Sequence, residues 1–136
     1  MLIGFGNRET GVRTRMGEKI QKFEDLEVWK ESMRLAEKLY NQLKDCHNFA
    51  LRDQIQRSAL SIPSNIAEGF ERNSNKEFIR FLSIAQGSCA ELRTQLYLVK
   101  RIKLFDSDII QEYINRSRDI SAMIARLIQV RREKFT

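Results

Sequence analysis

Between residues 78 and 99 the apolar side chains recur at alternating intervals of four and three: Phe78, Leu82, Ala85, Cys89, Leu92, Leu96 and Val99. A half-buried strand would need an apolar residue at every second position. A helix turns once in about 3.6 residues, so this spacing lays the whole set along one side of a long helix. Three more segments repeat the pattern. Leu26, Trp29, Met33, Ala36, Tyr40 and Leu43 mark the first, and Leu51, Ile55, Ala59, Ile62, Ile66 and Phe70 the second. Ile110, Tyr113, Ser117, Ile120, Ile124 and Leu127 mark the last. The links are short and rich in turn and cap residues: Asp45–Asn48, Asn73-Ser74-Asn75 and Asp106-Ser107-Asp108. Ser74 or Asn75 can cap the third helix, with Glu77 three residues after Ser74 as in a capping box. The acids at 106 and 108 suit the positive end of the fourth helix dipole. Short links force each helix to run against its neighbour, and a 3-4 spacing packs at a shallow crossing angle. The expected fold is therefore all-α: an antiparallel, up-and-down four-helix bundle.

The chain has 136 residues, enough for one domain and one core without disulfide or metal support. We expect the bundle domain over 23–136. Residues 1–22 hold four of the six glycines and no apolar period, and read as a disordered basic N-terminal tail. Met16 is a second candidate start within it. The two cysteines, Cys46 and Cys89, are far apart and no secretory signal precedes them, so reduced thiols in a cytoplasmic protein are expected. No apolar run approaches the roughly 20 residues of a membrane span.

The segment Arg57–Arg72, reading RSALSIPSNIAEGFER, departs from an ordinary surface helix. Pro63 removes a backbone donor and crowds the Ala59 carbonyl, so the second helix should kink or restart there. Beside the apolar stripe runs a polar one of Gln54, Ser58, Ser61, Asn65, Glu68 and Arg72. Such a stripe is usually a solvated face, yet this one is built of short uncharged groups where Lys and Glu are usual. The third helix has its own stripe of small side chains at Ser83, Gly87, Ala90 and Thr94. Gly87 in mid-helix costs about 1 kcal/mol against Ala, which suggests close approach of another backbone. Ser58, Ser61, Asn65, Glu68, Ser83 and Gly87 are thus candidate helix-packing or subunit-interface residues.

Catalytic patterns are missing. The single histidine, His47, lies in a turn beside Cys46, and no set of ligands at metal spacing accompanies it. There is no phosphate loop and no nucleophile elbow. Glu68 and Glu71 near a helix end read as surface charge rather than acid–base machinery. We expect no enzyme, no metal and no cofactor. The net charge of +6 favours an anionic partner. Residues 75–136 carry 12 Lys and Arg against 7 Asp and Glu, whereas 23–74 carry 7 against 9. Lys100, Arg101 and Lys103 close the third helix, and Arg126, Arg131, Arg132 and Lys134 line the end of the fourth. Arg93 and Arg116 lie between these groups. Cations at helix ends serve solubility and the helix dipole, but clustered cations are also all that phosphate contact requires. We therefore take Arg93, Lys100, Arg101, Lys103, Arg116, Arg126, Arg131 and Arg132 as candidate nucleic-acid contacts.

Several runs resemble a known family: Phe23-Glu24-Asp25-Leu26-Glu27-Val28-Trp29, Ser58–Phe70 with its Ser-Ile-Pro-Ser-Asn-Ile-Ala-Glu-Gly core, Glu77-Phe78, Phe81–Ser88 and Glu91-Leu92. They are similar to the four-helix bundle proteins encoded in intervening sequences of bacterial 23S rRNA genes. The resemblance covers about residues 23–130. It implies a homopentamer and points to a related basic bundle, the accessory variability determinant of diversity-generating retroelements, which works with a reverse transcriptase and its RNA. It carries over no catalytic residue. The expected function is a non-enzymatic, oligomeric, nucleic-acid-associated protein, RNA being the favoured ligand. The alternative is a structural interaction protein that binds a protein partner through its oligomer surface.

Overall fold

A computed structural model describes residues 20–135 of the chain. A one-turn 3-10 helix, Phe23–Asp25, precedes four α-helices: α1 (Glu27–Leu43), α2 (Phe49–Glu71), α3 (Asn75–Arg101) and α4 (Ser107–Phe135). No strand occurs among the described residues. Each helix packs on its chain neighbours and α1 closes the ring against α4. Asn75, at the start of α3, bonds Arg131 near the end of α4, while Lys100 at the end of α3 bonds Gln111. These two helices therefore run in opposite directions. Gln42, at the end of α1, accepts a hydrogen bond from Tyr113 in the second turn of α4. The 44–48 and 102–106 links thus lie at the same end of the molecule.

Local chemistry sets the helix starts. Asn48 Oδ1 accepts from the Leu51 amide at 3.4 Å, Ser74 Oγ from Glu77 at 3.2 Å and Asp106 Oδ2 from Ile109 at 3.2 Å. Each satisfies one backbone donor that a helix start leaves open. α3 ends with Lys103 in the left-handed region at φ 57. The Lys103 amide bonds the Lys100 carbonyl and the Leu104 amide bonds the Val99 carbonyl, the pair of bonds of a Schellman ending.

The core contains every stripe residue expected on α3, and the α2 set from Ile55 to Phe70. Cys89 is among them, and burial pushes its thiol up to about 12, which keeps it protonated and inert. On α1 the buried side is shifted. Leu26, Ala36 and Leu43 are buried as expected and Val28, Ser32, Leu35 and Leu39 join them, while Tyr40 is 41% exposed and Trp29 and Met33 lie at the edge. α1 carries two overlapping apolar arcs, and contact with α2 and α4 selects the aliphatic one. Ser32 is tolerated there because its hydroxyl donates to the Trp29 carbonyl at 3.0 Å, so no polar group is stranded.

Of the kink or restart expected at Pro63, the restart does not occur: α2 runs as one helix from Phe49 to Glu71. Nearby side chains bond its carbonyls, Ser61 Oγ that of Ser58 at 2.9 Å and Asn65 Nδ2 that of Ser61 at 2.7 Å. Ile20 lies three residues before the expected boundary at 23. Ile20 is 4% exposed and belongs to the core, because its apolar side chain covers one edge of the bundle. The rest of the expected tail, 1–19, lies outside the described residues.

Candidate nucleic-acid interface

The candidate cations occupy four different environments. Arg101, Lys103, Arg126 and Arg132 are exposed. Arg93 and Lys100 are half-buried on the side of α3 that faces α4. Lys100 Nζ donates to Gln111 Oε1 at 2.5 Å, and Arg93 keeps one guanidinium nitrogen without an acceptor. Arg116 is drawn elsewhere. It pairs with Glu112 at 3.5 Å and lines an open cleft between α1 and α4 with Glu27, Glu31, Asp119, Ile120 and Met123. Those carboxylates make the cleft a poor place for a polyanion.

Arg131 is a correction. It is 0% exposed and cannot reach a ligand. Its Nε donates to Asn75 Oδ1 at 2.7 Å, and the Asn75 amide returns a bond to the Arg131 carbonyl at 3.2 Å. The guanidinium lies 5.2 Å from the centroid of the Phe78 ring. Burial pushes it down to about 10, since desolvation disfavours the charged form. Arg131 ties the last turns of α4 to the first turn of α3. The signal for this was present: Ser117, Ile120, Ile124, Leu127 and Arg131 are spaced 3, 4, 3, 4, so Arg131 continues the buried stripe.

The candidate packing residues also divide. Ser58 is 4% exposed and buried, Ser61 and Asn65 are half-buried, and Glu68 is exposed, pairing with Arg72 at 3.3 Å. Ser83 and Gly87 are exposed, and a Cβ at Gly87 would have no neighbour within 4 Å. Gly87 therefore admits no close helix contact within the bundle. The glycine that does is Gly69. A Cβ there would lie 2.6 Å from the Phe81 Cβ and 3.2 Å from Phe78 Cδ1. Gly69 lies three residues after Ile66 on the buried stripe of α2, and that spacing could have identified it.

Sequence reasoning missed Arg118 and Tyr97. Arg118 Nη2 donates to the Tyr97 hydroxyl at 2.5 Å across the boundary between α3 and α4. No group of His, Cys, Asp and Glu suited to a metal exists among the described residues, and no helix there is long and apolar enough to cross a membrane.

Comparison with known proteins adds a family. The family model described as 23S rRNA-intervening sequence protein matches residues 24–126. A solved structure, a protein of unknown function from the S23 ribosomal protein family of Bacteroides thetaiotaomicron VPI-5482, is similar with a TM-score of 0.71 and 27% identity, covering 74% of this chain and 97% of that one. No curated protein matches.

Proposed function

The chain belongs to the 23S rRNA-intervening sequence protein family, and from that premise we propose that it is a non-enzymatic, oligomeric, cytoplasmic protein that binds RNA. One observation carries the reading: Arg93, Lys100, Arg101, Lys103 and Arg118 form no ion pair among the described residues. By contrast Arg80 is held by Glu77 at 3.0 Å, which also keeps the Glu77 carboxyl below its ordinary range. Cations left without carboxylates remain available to phosphates, and the binding they give is independent of sequence. Lys103 strengthens the argument. It holds the left-handed position at which helix endings favour glycine, so a lysine there keeps its charge at some cost in stability.

Assembly is part of the proposal. The homopentamer follows from the family resemblance, with Ser61, Asn65, Glu68, Ser83 and Gly87 on the subunit surface of α2 and α3, while Ser58 packs inside the bundle. Repeating the cations around such a ring would multiply their field. A second reading, docking of a protein partner such as a reverse transcriptase, is favoured by the end of the bundle that carries both links. Tyr40, Phe49, Leu98, Ile102 and Ile109 are all exposed there, and grouped exposed apolar side chains mark interaction surfaces.

Titrating salt against binding to a generic single-stranded RNA tests the main reading. Affinity should fall steeply and log-linearly with salt, and light scattering should give a multiple of the 16.0 kDa chain. Absence of salt-sensitive binding at low ionic strength transfers the function to the apolar end, and a 16.0 kDa species in solution removes the oligomer.

A more specific outcome concerns Lys103→Gly. The substitution should stabilise the bundle by roughly 1 kcal/mol, because glycine adopts the left-handed conformation without steric cost. It should also reduce the log–log salt slope by about 0.7, the loss of one phosphate contact on a single strand. Thermal melts and binding isotherms of the same preparation would show whether stability and affinity move in opposite directions.

A further inference from the structure

We propose that RNA lies along the seam between α3 and α4, its phosphates held by Arg93, Lys100 and Arg118; this rests on the RNA-binding reading and names the surface that performs it. Beyond the Asn75–Arg131 pair at one end, three further side-chain bonds cross the seam. Gln86 Nε2 donates to the Ser121 carbonyl at 3.4 Å, Arg118 Nη2 to Tyr97 Oη at 2.5 Å and Lys100 Nζ to Gln111 Oε1 at 2.5 Å. Arg93, Tyr97 and Lys100 follow one another at intervals of four and three, so they share one side of α3 and cover about 10 Å along its axis.

What distinguishes this seam is that Arg93, Lys100 and Arg118 are paired with no carboxylate among the described residues. Four of the acids of α3 and α4 are engaged or placed elsewhere. Glu77 is engaged by Arg80, whose guanidinium lies 4.6 Å from the centroid of the Phe81 ring, and Phe81 packs on Gly69 of α2. Glu112 is paired with Arg116, and Asp119 lines the cleft against α1. Glu91 lies two positions before Arg93, about 200° around the helix. The bundle is therefore two-sided in charge. The α1–α4 cleft is rich in acids and repels a polyanion, while the α3–α4 seam holds cations that form no ion pair among the described residues. Arg118 meets the Tyr97 hydroxyl rather than a carboxylate, so the contact draws its guanidinium to the seam without an opposing charge. The amides of Gln86 and Gln111 add neutral donors of the kind that also bind phosphate oxygens. Tyr97 is half-buried and its hydroxyl is engaged, so the seam is a backbone-reading surface and not a base-stacking platform.

The test compares two charge-matched variants of the full-length oligomer against a fluorescein-labelled single-stranded RNA of mixed sequence. Arg93→Gln with Arg118→Gln removes two charges from the seam. Lys38→Gln with Arg57→Gln removes two from the exposed surfaces of α1 and α2. The seam variant should bind roughly tenfold more weakly at about 0.1 M salt and lose about 1.4 from the log–log slope, while the control keeps the parent slope. Arg118→Gln alone, at an exposed position, serves if the double variant melts early, and should lose about 0.7 from the slope. Equal losses in seam and control variants overturn the seam and leave RNA binding standing as a net-charge effect. Failure of the parent to bind overturns the RNA reading and the seam with it.

Discussion

Arg131→Ala should lower the stability of the bundle by about 3 kcal/mol and leave RNA affinity unchanged. Truncation takes the long side chain away from Phe78 and leaves a void at 0% exposure. It also removes the donor that meets Asn75 Oδ1 at 2.7 Å, and leaving this half-buried acceptor without its partner adds up to about 1 kcal/mol to the cost of the void. For a chain of this size the melting temperature should fall by roughly 10 °C. Arg131→Met, which keeps a flexible chain over the ring but no donor, should fall between parent and Ala. The charge opposes part of what the packing contributes. Because the folded guanidinium titrates near 10, below its unfolded value, the group's contribution to stability rises as pH climbs through 10 towards that value. Thermal melts with parallel RNA titrations check both halves of the expectation. A loss of RNA binding without loss of stability would show that Arg131 reaches the ligand.

Gly69→Leu should be comparably damaging, at about 3 kcal/mol, and Gly87→Leu should not. At Gly69 even a Cβ meets Phe81 at 2.6 Å. That contact joins two helix backbones across a three-residue turn, so relief requires α2 and α3 to separate along Phe70 and Phe78, whose rings meet edge to face at 5.7 Å. Overpacking of this kind costs about 1–3 kcal/mol and sometimes more. At Gly87 the side chain would enter open space, and replacing a mid-helix glycine recovers up to about 1 kcal/mol of propensity. Gly87→Leu should therefore melt at or above the parent temperature while testing the subunit surface, where light scattering would reveal disrupted assembly. Denaturant melts that rank Gly87→Leu below Gly69→Leu would contradict the packing of α2 on α3.

The candidate site was only partly legible. Arg93 and Lys100 are visible as cations flanking the apolar stripe of α3, and the structure brings them to one seam. Arg116 looks equivalent in sequence, yet it turns towards α1 and a group of carboxylates, because its position on α4 lies about 160° around the helix from Arg118. Nothing in local spacing says which side of α4 meets α1 and which meets α3. Arg118 was overlooked because its partner, Tyr97, is 21 residues away on another helix.

The sequence by itself determined what depends on near neighbours along the chain. The number of helices, their limits, the caps at Ser74 and Asp106 and the buried side of α3 all follow from periods and side-chain-to-backbone bonds that span three or four residues. Only the tertiary structure decided what depends on which helix stands opposite. It chose between the two apolar arcs of α1, turned Arg116 towards the α1 carboxylates and Arg118 towards Tyr97, and left Gly87 in open space. A lone helix presents each of these alternatives at similar energy. The difference arises when a neighbour's side chains, such as Phe78 and Phe81, fill one side and leave the other to water.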